Sequence, residues 1–146
     1  MNCVDWDQAK AYCKWVGKRL PTEEEWEKAA RGTDGREYPW GNQETTCEYA
    51  KFLGGDGNYC DGKFTTWPVG SRPKGASPYG VMDMAGNVSE YVVGGDDGYY
   101  SNNSEERFPV ERGGNWANDA GYQAVYHRHM ARDRQDTSGF RCARTP

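Results

Sequence analysis

Glycine and proline punctuate this chain from end to end, nineteen of one and seven of the other in 146 residues. That distribution limits it to short elements joined by turns and long loops. Only the N-terminal stretch carries a sustained helical period. Residues 5–16 predict a helix: Asp5 caps with Gln8, Ala9, Tyr12, Cys13 and Val16 share one face, and Gly17 stops it. A second start follows Pro21, where Thr22 and Glu25 form a capping box and Trp26, Ala29 and Ala30 make an apolar stripe ending near Gly32.

Beyond Gly32 the pattern breaks up. Residues 32–77 are dominated by Gly, Asp, Asn, Thr and Tyr and predict loop with one or two short strands. A loop that long needs pinning, and Cys47 and Cys60 are placed to close it, a pairing that sequence alone leaves open. Segment 79–93 predicts a turn at Ala85-Gly86-Asn87 and an alternating strand from Val88 to Val93, followed by another loop over 94–103. Glu111–Trp116 and Gly139–Ala143 predict two more short strands, separated by a polar stretch with no usable period. With a hydrophobic fraction of 36%, aliphatic side chains are scarce, and the six Trp, ten Tyr and four Phe must supply the core of one domain spanning 1–146.

The same composition removes several functions. The net charge is -4, and although seven arginines face four acids from Arg107 onward, no dense basic face argues for nucleic acid. No apolar run is long enough to span a bilayer, and the start MNCVDWDQ lacks the layout of a signal peptide. Five cysteines, at 3, 13, 47, 60 and 142, match no zinc spacing and point to disulfides, with Cys3 the candidate free thiol. Disulfides suggest an extracytoplasmic or surface-displayed setting. His127 and His129, at i and i+2, are too few for a metal centre, and no G-x-S-x-G elbow supports a nucleophilic serine.

Six ordered motifs carry a resemblance. They are Gly17-Lys18-Arg19-Leu20-Pro21-Thr22-Glu23-x-Glu25-Trp26, Tyr38-Pro39-Trp40-Gly41-Asn42, Pro68-Val69-Gly70, Gly80-Val81-x-Asp83-Met84-x-Gly86-Asn87-Val88-x-Glu90, Arg112-Gly113-Gly114-Asn115-Trp116 and Gly139-Phe140-Arg141-Cys142. Together the chain resembles the formylglycine-generating-enzyme, or sulfatase-modifying-factor, family. The resemblance implies an α+β fold of C-type-lectin type, with short antiparallel strands, two helices and much irregular loop. It also implies that family members carry several dozen residues before the segment that begins at Asn2, so the chain is expected to be a shortened version or to take a partner chain.

The resemblance further implies a set of site residues. Family oxidases place two cysteines shortly after the Gly-Gly motif, where thiolates bind copper. Here residues 116–124 contain no cysteine, so no copper and no oxidase activity are expected. A calcium ion is expected on Asp83, Gly86, Val88 and Glu90, with carboxylates and turn carbonyls as hard ligands; read without the resemblance, Asp83 and Glu90 are a turn acid and an exposed strand acid. A second family calcium position falls on Lys51, Phe52, Asp61 and Lys63, where the Lys51 ammonium stands in the ion's place and pairs with Asp61. Cys13 and Cys142 match positions joined by a disulfide, against the alternative of two buried thiols.

The stretch 116–138 matches the family's substrate face. Trp116, Asn118, Asp119, Tyr122, Gln123, Tyr126, His127, His129 and Arg132 mix adaptable hydrogen-bonders with flat aromatics, the chemistry of a surface for a protein or glycan ligand; by composition alone it is an ordinary solvated loop. The layout Arg-Gly-Gly-Asn-Trp, polar stretch, Gly-Phe-Arg also resembles the variable region of proteins diversified by retroelements, whose adenine-directed mutagenesis turns Asn codons into Tyr, His, Asp, Ser and Gly. Three functions follow: a non-catalytic binding module, a family enzyme with altered, metal-dependent chemistry, and a structural subunit.

Overall fold

The computed structural model describes residues 1–94, 109–131 and 134–145. Helix α1 spans Trp6–Trp15 and α2 spans Glu23–Arg31, both opened by the capping boxes read in the sequence, Asp5 with Gln8 and Thr22 with Glu25. Strand β1 (Ser89–Val93) pairs antiparallel with β2 (Pro109–Arg112) and parallel with the two-residue β4 (Ser138–Gly139), while β3 (Arg128–Met130) adds to the far edge of β2. The order is β3-β2-β1-β4.

β1 is covered on both sides, and its alternation separates two cores. Tyr91 points to α1, joining Ala9, Cys13 and Leu20, whereas Val92 points to α2, joining Trp26, Ala30, Met84, Val110 and Val125. The α2 side also carries buried charges. Glu90, 5% exposed, accepts from Trp26 Nε1 at 2.7 Å and from Arg141 Nε and Nη2 at 2.5 and 2.6 Å. Arg112, register partner of Glu90, reaches Glu23 at 3.0 Å and Glu27 at 2.7 Å on α2 and the carbonyl of Val125 at 2.8 Å.

Strand boundaries differ from those predicted in two places. The segment Glu111–Trp116 leaves the sheet after Arg112, because Gly113 and Gly114 take φ of +92° and +61°, a turn conformation rather than an extended one. A Cβ on Gly113 would stand 2.9 Å from the Trp26 ring, so the turn also brings the backbone close against the core. At the C-terminus the ladder stops at Gly139, and only an isolated bridge from Ala143 to Arg19 follows. Residues 120–123 form a 3₁₀ turn and 128–130 a strand in what reads as aperiodic sequence. The predicted loop 94–103 lies outside the described residues after Gly94.

The long segment 32–77 holds one 3₁₀ turn, Pro73–Gly75, and isolated bridges at Tyr38–Gly41 and Leu53–Tyr59. It is pinned twice. Cys47 and Cys60 are joined, with Cα atoms 5.3 Å apart. Lys51, 1% exposed, donates from Nζ to Asp61 and to the carbonyl of Lys63, and lies over Trp67 at 5.0 Å and Tyr59 at 5.7 Å. The ammonium gathers Asp61 and Lys63 about itself, and its pairing with Asp61 is the one expected from a lysine at that position. Cys13 and Cys142 are also joined, tying α1 to the C-terminus across 129 residues, and Cys3 is free and exposed. Among the described residues no helix is long and apolar enough to cross a membrane.

Two outcomes follow. Because the chain-entropy gain rises with loop length, replacing Cys13 and Cys142 with alanine is expected to cost about 5 kcal/mol, and replacing Cys47 and Cys60 about 3 kcal/mol; calorimetry checks the order, and equal losses contradict it. The Lys51 hydrogen bond, followed by that from Trp67, depresses the Asp61 pKa, so this contact stabilises above the unfolded carboxylate's value of about 3.9. It is lost as pH falls below that. Lys51→Met is therefore expected to lower the melting temperature at neutral pH and to flatten the loss of stability on acidification below about pH 5, read from melting curves across that range.

Candidate functional site

The site begins where β2 ends. After the Gly113-Gly114 turn, Asn115 is 7% exposed; its Nδ2 donates to Ser89 Oγ at 2.9 Å and its Oδ1 accepts from Ala117 N at 3.0 Å. Asn118 Oδ1 accepts from Asn115 N at 3.1 Å, and Asp119 Oδ1 accepts from Gly121 N at 3.0 Å to cap the 3₁₀ turn. The backbone is braced from outside as well: Leu53 N donates to Asn118 O at 2.8 Å, Trp116 N to Asn87 O at 3.1 Å and Val125 N to Glu37 O at 2.9 Å. Each short-range polar residue thus closes a local turn, and backbone hydrogen bonds from other segments brace the loop from outside.

On this base stands a row of rings. Tyr122 stacks on His127 at 4.8 Å and 25°, Tyr126 also stacks on His127, at 5.6 Å and 26°, and His129 tilts against Tyr122 at 6.3 Å. Tyr122 and Tyr126 are 41% and 54% exposed, whereas Ala124 and Val125 between them are fully buried. Beside the row lies a cavity of about 390 Å3, with Glu111 and Asn115 deep in it, Tyr122 and Met130 exposed at its mouth, and Asn118, His129 and Gln135 completing the wall.

The structure divides the predicted ligand residues. Asn118, Tyr122 and His129 line the cavity, and Asp119, Tyr126 and His127 stand close by on the same loop. Trp116 and Gln123 do not belong to the surface. Trp116 packs its ring on Tyr59 at 5.6 Å, and Gln123, fully buried, donates to the carbonyls of Asn115 and Asp119; both support the loop from beneath. Arg132 lies outside the described residues. Glu111, Asn115, Met130 and Gln135 are additions. Strand alternation was the signal for Glu111, since a carboxylate next to Arg112 must face the opposite side of the sheet.

Asp83 and Glu90 of the expected calcium set converge on Arg141. Arg141 Nη2 donates to the carbonyls of Met82 and Asp83 at 3.0 and 3.2 Å as well as to Glu90. Burial works against its charge, but Glu90 and the nearby Asp83 outweigh that and raise its pKa. Asp83 takes φ of +55°, and its Oδ2 accepts from Gly70 N at 2.7 Å. Two carboxylates thus stand against one guanidinium, a local charge of one negative. Among the described residues no cluster of three or more His, Cys, Asp or Glu could hold a metal by side chains alone.

The sequence matches the model of the sulfatase-modifying factor enzyme 1-like domain over residues 1–146. It is 40% identical over 153 residues to the inactive C-alpha-formylglycine-generating enzyme 2 of Bos taurus, covering 96% of this chain and 48% of that protein. Among solved structures it resembles PvdO from Pseudomonas aeruginosa, with a TM-score of 0.71 and 30% identity over 95% of this chain and 59% of that one. It also resembles Treponema denticola variable protein 1, with a TM-score of 0.65 and 31% identity over 88% and 48%. The chain thus spans about half the length of the curated relative it matches. A match along its whole length, with an α+β fold shared by the solved neighbours, makes the chain a member of the sulfatase-modifying factor enzyme 1-like domain family.

Proposed function

We propose that this chain is a non-catalytic ligand-binding module that presents the 116–138 face to a protein or glycan. The observation that carries the reading is the exposed Tyr122–His127–Tyr126 row, standing on buried Ala124 and Val125 beside a polar cavity. Exposed rings in register, held on rigid backbone, give large contact area at small entropic cost. The absence of cysteine from 116–124 removes the soft ligands that copper needs, and a relative bearing the name inactive supports the same direction. The likeness to a variable protein supports the finer reading that a retroelement diversifies this face; an adenine-rich template repeat matching codons 112–141 in the flanking DNA is its direct sign. The two disulfides support an extracytoplasmic or surface-displayed location.

We also assign a structural calcium ion to Asp83, Gly86, Val88 and Glu90, supported by the local negative charge around Arg141. Bound there, calcium supplies charge and coordination that fasten the turn before β1.

Screening peptide and glycan arrays with the wild-type chain and with the Tyr122→Ala, Tyr126→Ala double variant tests the first reading. Ligands are expected to lose about tenfold or more in affinity while the melting temperature stays within about 2 °C, since neither ring is core. Bound copper or iron with turnover of a peptide thiol would overturn it. For the ion, calcium is expected to raise the melting temperature of chelator-treated protein, and Asp83→Ala to abolish that rise; calorimetry showing no calcium binding to the wild type sinks the assignment.

A further inference from the structure

One flank of the fold is basic in a chain whose net charge is -4. Residues 8–22 and 138–146 contain Lys10, Lys14, Lys18, Arg19, Arg141 and Arg144 and not one aspartate or glutamate. The fold brings these two segments together. Cys13 is joined to Cys142, Arg19 and Ala143 form a bridge, and the rings of Tyr12 and Phe140 meet at 5.5 Å. Arg141 turns inward to Glu90, and Arg19 pairs with Glu25. Lys10, Lys14, Lys18 and Arg144 are exposed, and among the described residues none of them makes an ion pair.

Apolar side chains stand in solvent among these charges. Trp15 is 80% exposed, Tyr12 41% and Val16 39%, and the rings of Tyr12 and Trp15 lie 5.8 Å apart. Helix α1 turns Ala9 and Cys13 to the core, which leaves Tyr12 and Trp15, three residues apart, as neighbours on its outer side. The acids of this helix, Asp5 and Asp7, sit at its opposite end.

Rings and cations mixed in this way suit a lipid surface. Indole and phenol pair an apolar body with a polar edge and settle where headgroups meet acyl chains. A lysine stem lies along apolar surface while its ammonium reaches for phosphate. Three of the four exposed cations are lysines, which protein–protein interfaces disfavour and anionic lipids attract. Each such charge strengthens binding to an anionic surface about fivefold, and a projecting tryptophan adds an apolar anchor.

We propose that this flank docks on an anionic lipid surface, with Trp15, Tyr12 and Val16 entering the headgroup layer and Lys10, Lys14, Lys18 and Arg144 on the phosphates. The surface shares no residue with the 116–138 face and stands independently of it.

Sedimentation of the disulfide-bonded chain with vesicles of phosphatidylcholine, alone or mixed in equal parts with phosphatidylglycerol, tests it. Binding to the mixed vesicles is expected to be about tenfold or more tighter, and to weaken with added salt. The Lys14→Glu, Lys18→Glu double variant is expected to lose about twentyfold or more, and Trp15→Ser about tenfold. Melting temperatures should stay within about 2 °C, since all three side chains are exposed. Bromine carried on the acyl chains is expected to quench tryptophan fluorescence in the wild type and far less in Trp15→Ser. Equal binding to both vesicles, sedimentation with neither, or binding unchanged in the double lysine variant overturns the proposal. Self-association of the free chain that Trp15→Ser abolishes also overturns it, by making the flank a contact between copies. Equally tight binding of soluble poly-glutamate does the same, by assigning the flank to an acidic protein.

Discussion

The carboxylate of Glu90 is the point on which the rest of this fold depends. Its two oxygens receive Trp26 from α2 and Arg141 from the C-terminal segment, and Arg141 passes the connection to the carbonyls of Met82 and Asp83. Four separate parts of the chain therefore meet at one charge. Burying it is costly, and only the full set of donors offsets the desolvation. A hydrophobic contact at the same place would hold the parts together but would accept many arrangements; fixed donors and acceptors accept few.

Charge performs the same service elsewhere in the molecule. Arg112 fastens β2 to α2 through Glu23 and Glu27, and Lys51 gathers the loop that carries Leu53 to Asn118. A chain this poor in aliphatic residues builds its second level of order from guanidinium, ammonium and carboxylate groups packed on tryptophan, with the cores on either side of β1 kept small. The face at 116–130 inherits its rigidity from this frame. Its own side chains contribute caps and turns, and the rings project from a backbone that others hold.

Both helices were legible because their capping boxes and apolar spacing are local signals, and residues 5–16 and 22–32 contain everything needed to read them. The pairing of Cys13 with Cys142 was legible only through likeness to a family, since nothing in a separation of 129 residues announces contact. β3 was not legible: three residues, Arg128, His129 and Met130, have no period, and they form a strand because β2 offers an edge. Trp116 and Gln123 were assigned to the surface because composition records chemistry and not depth, whereas Trp116 turns onto Tyr59 and Gln123 onto the carbonyls of Asn115 and Asp119. Glu90 reads as an exposed strand acid until α2 and the C-terminus are folded over it.

Lys51 gives the long N-terminal loop a property that a divalent ion could not. An ammonium on a covalent tether has no dissociation rate and no dependence on supply: it cannot be stripped by a chelator, exchanged for a competing metal or diluted away. The joint in the loop that braces Asn118 thus needs no ion from its surroundings, and protonation of Asp61 is what weakens it. The face it steadies keeps its shape across environments that would empty an ion-dependent joint.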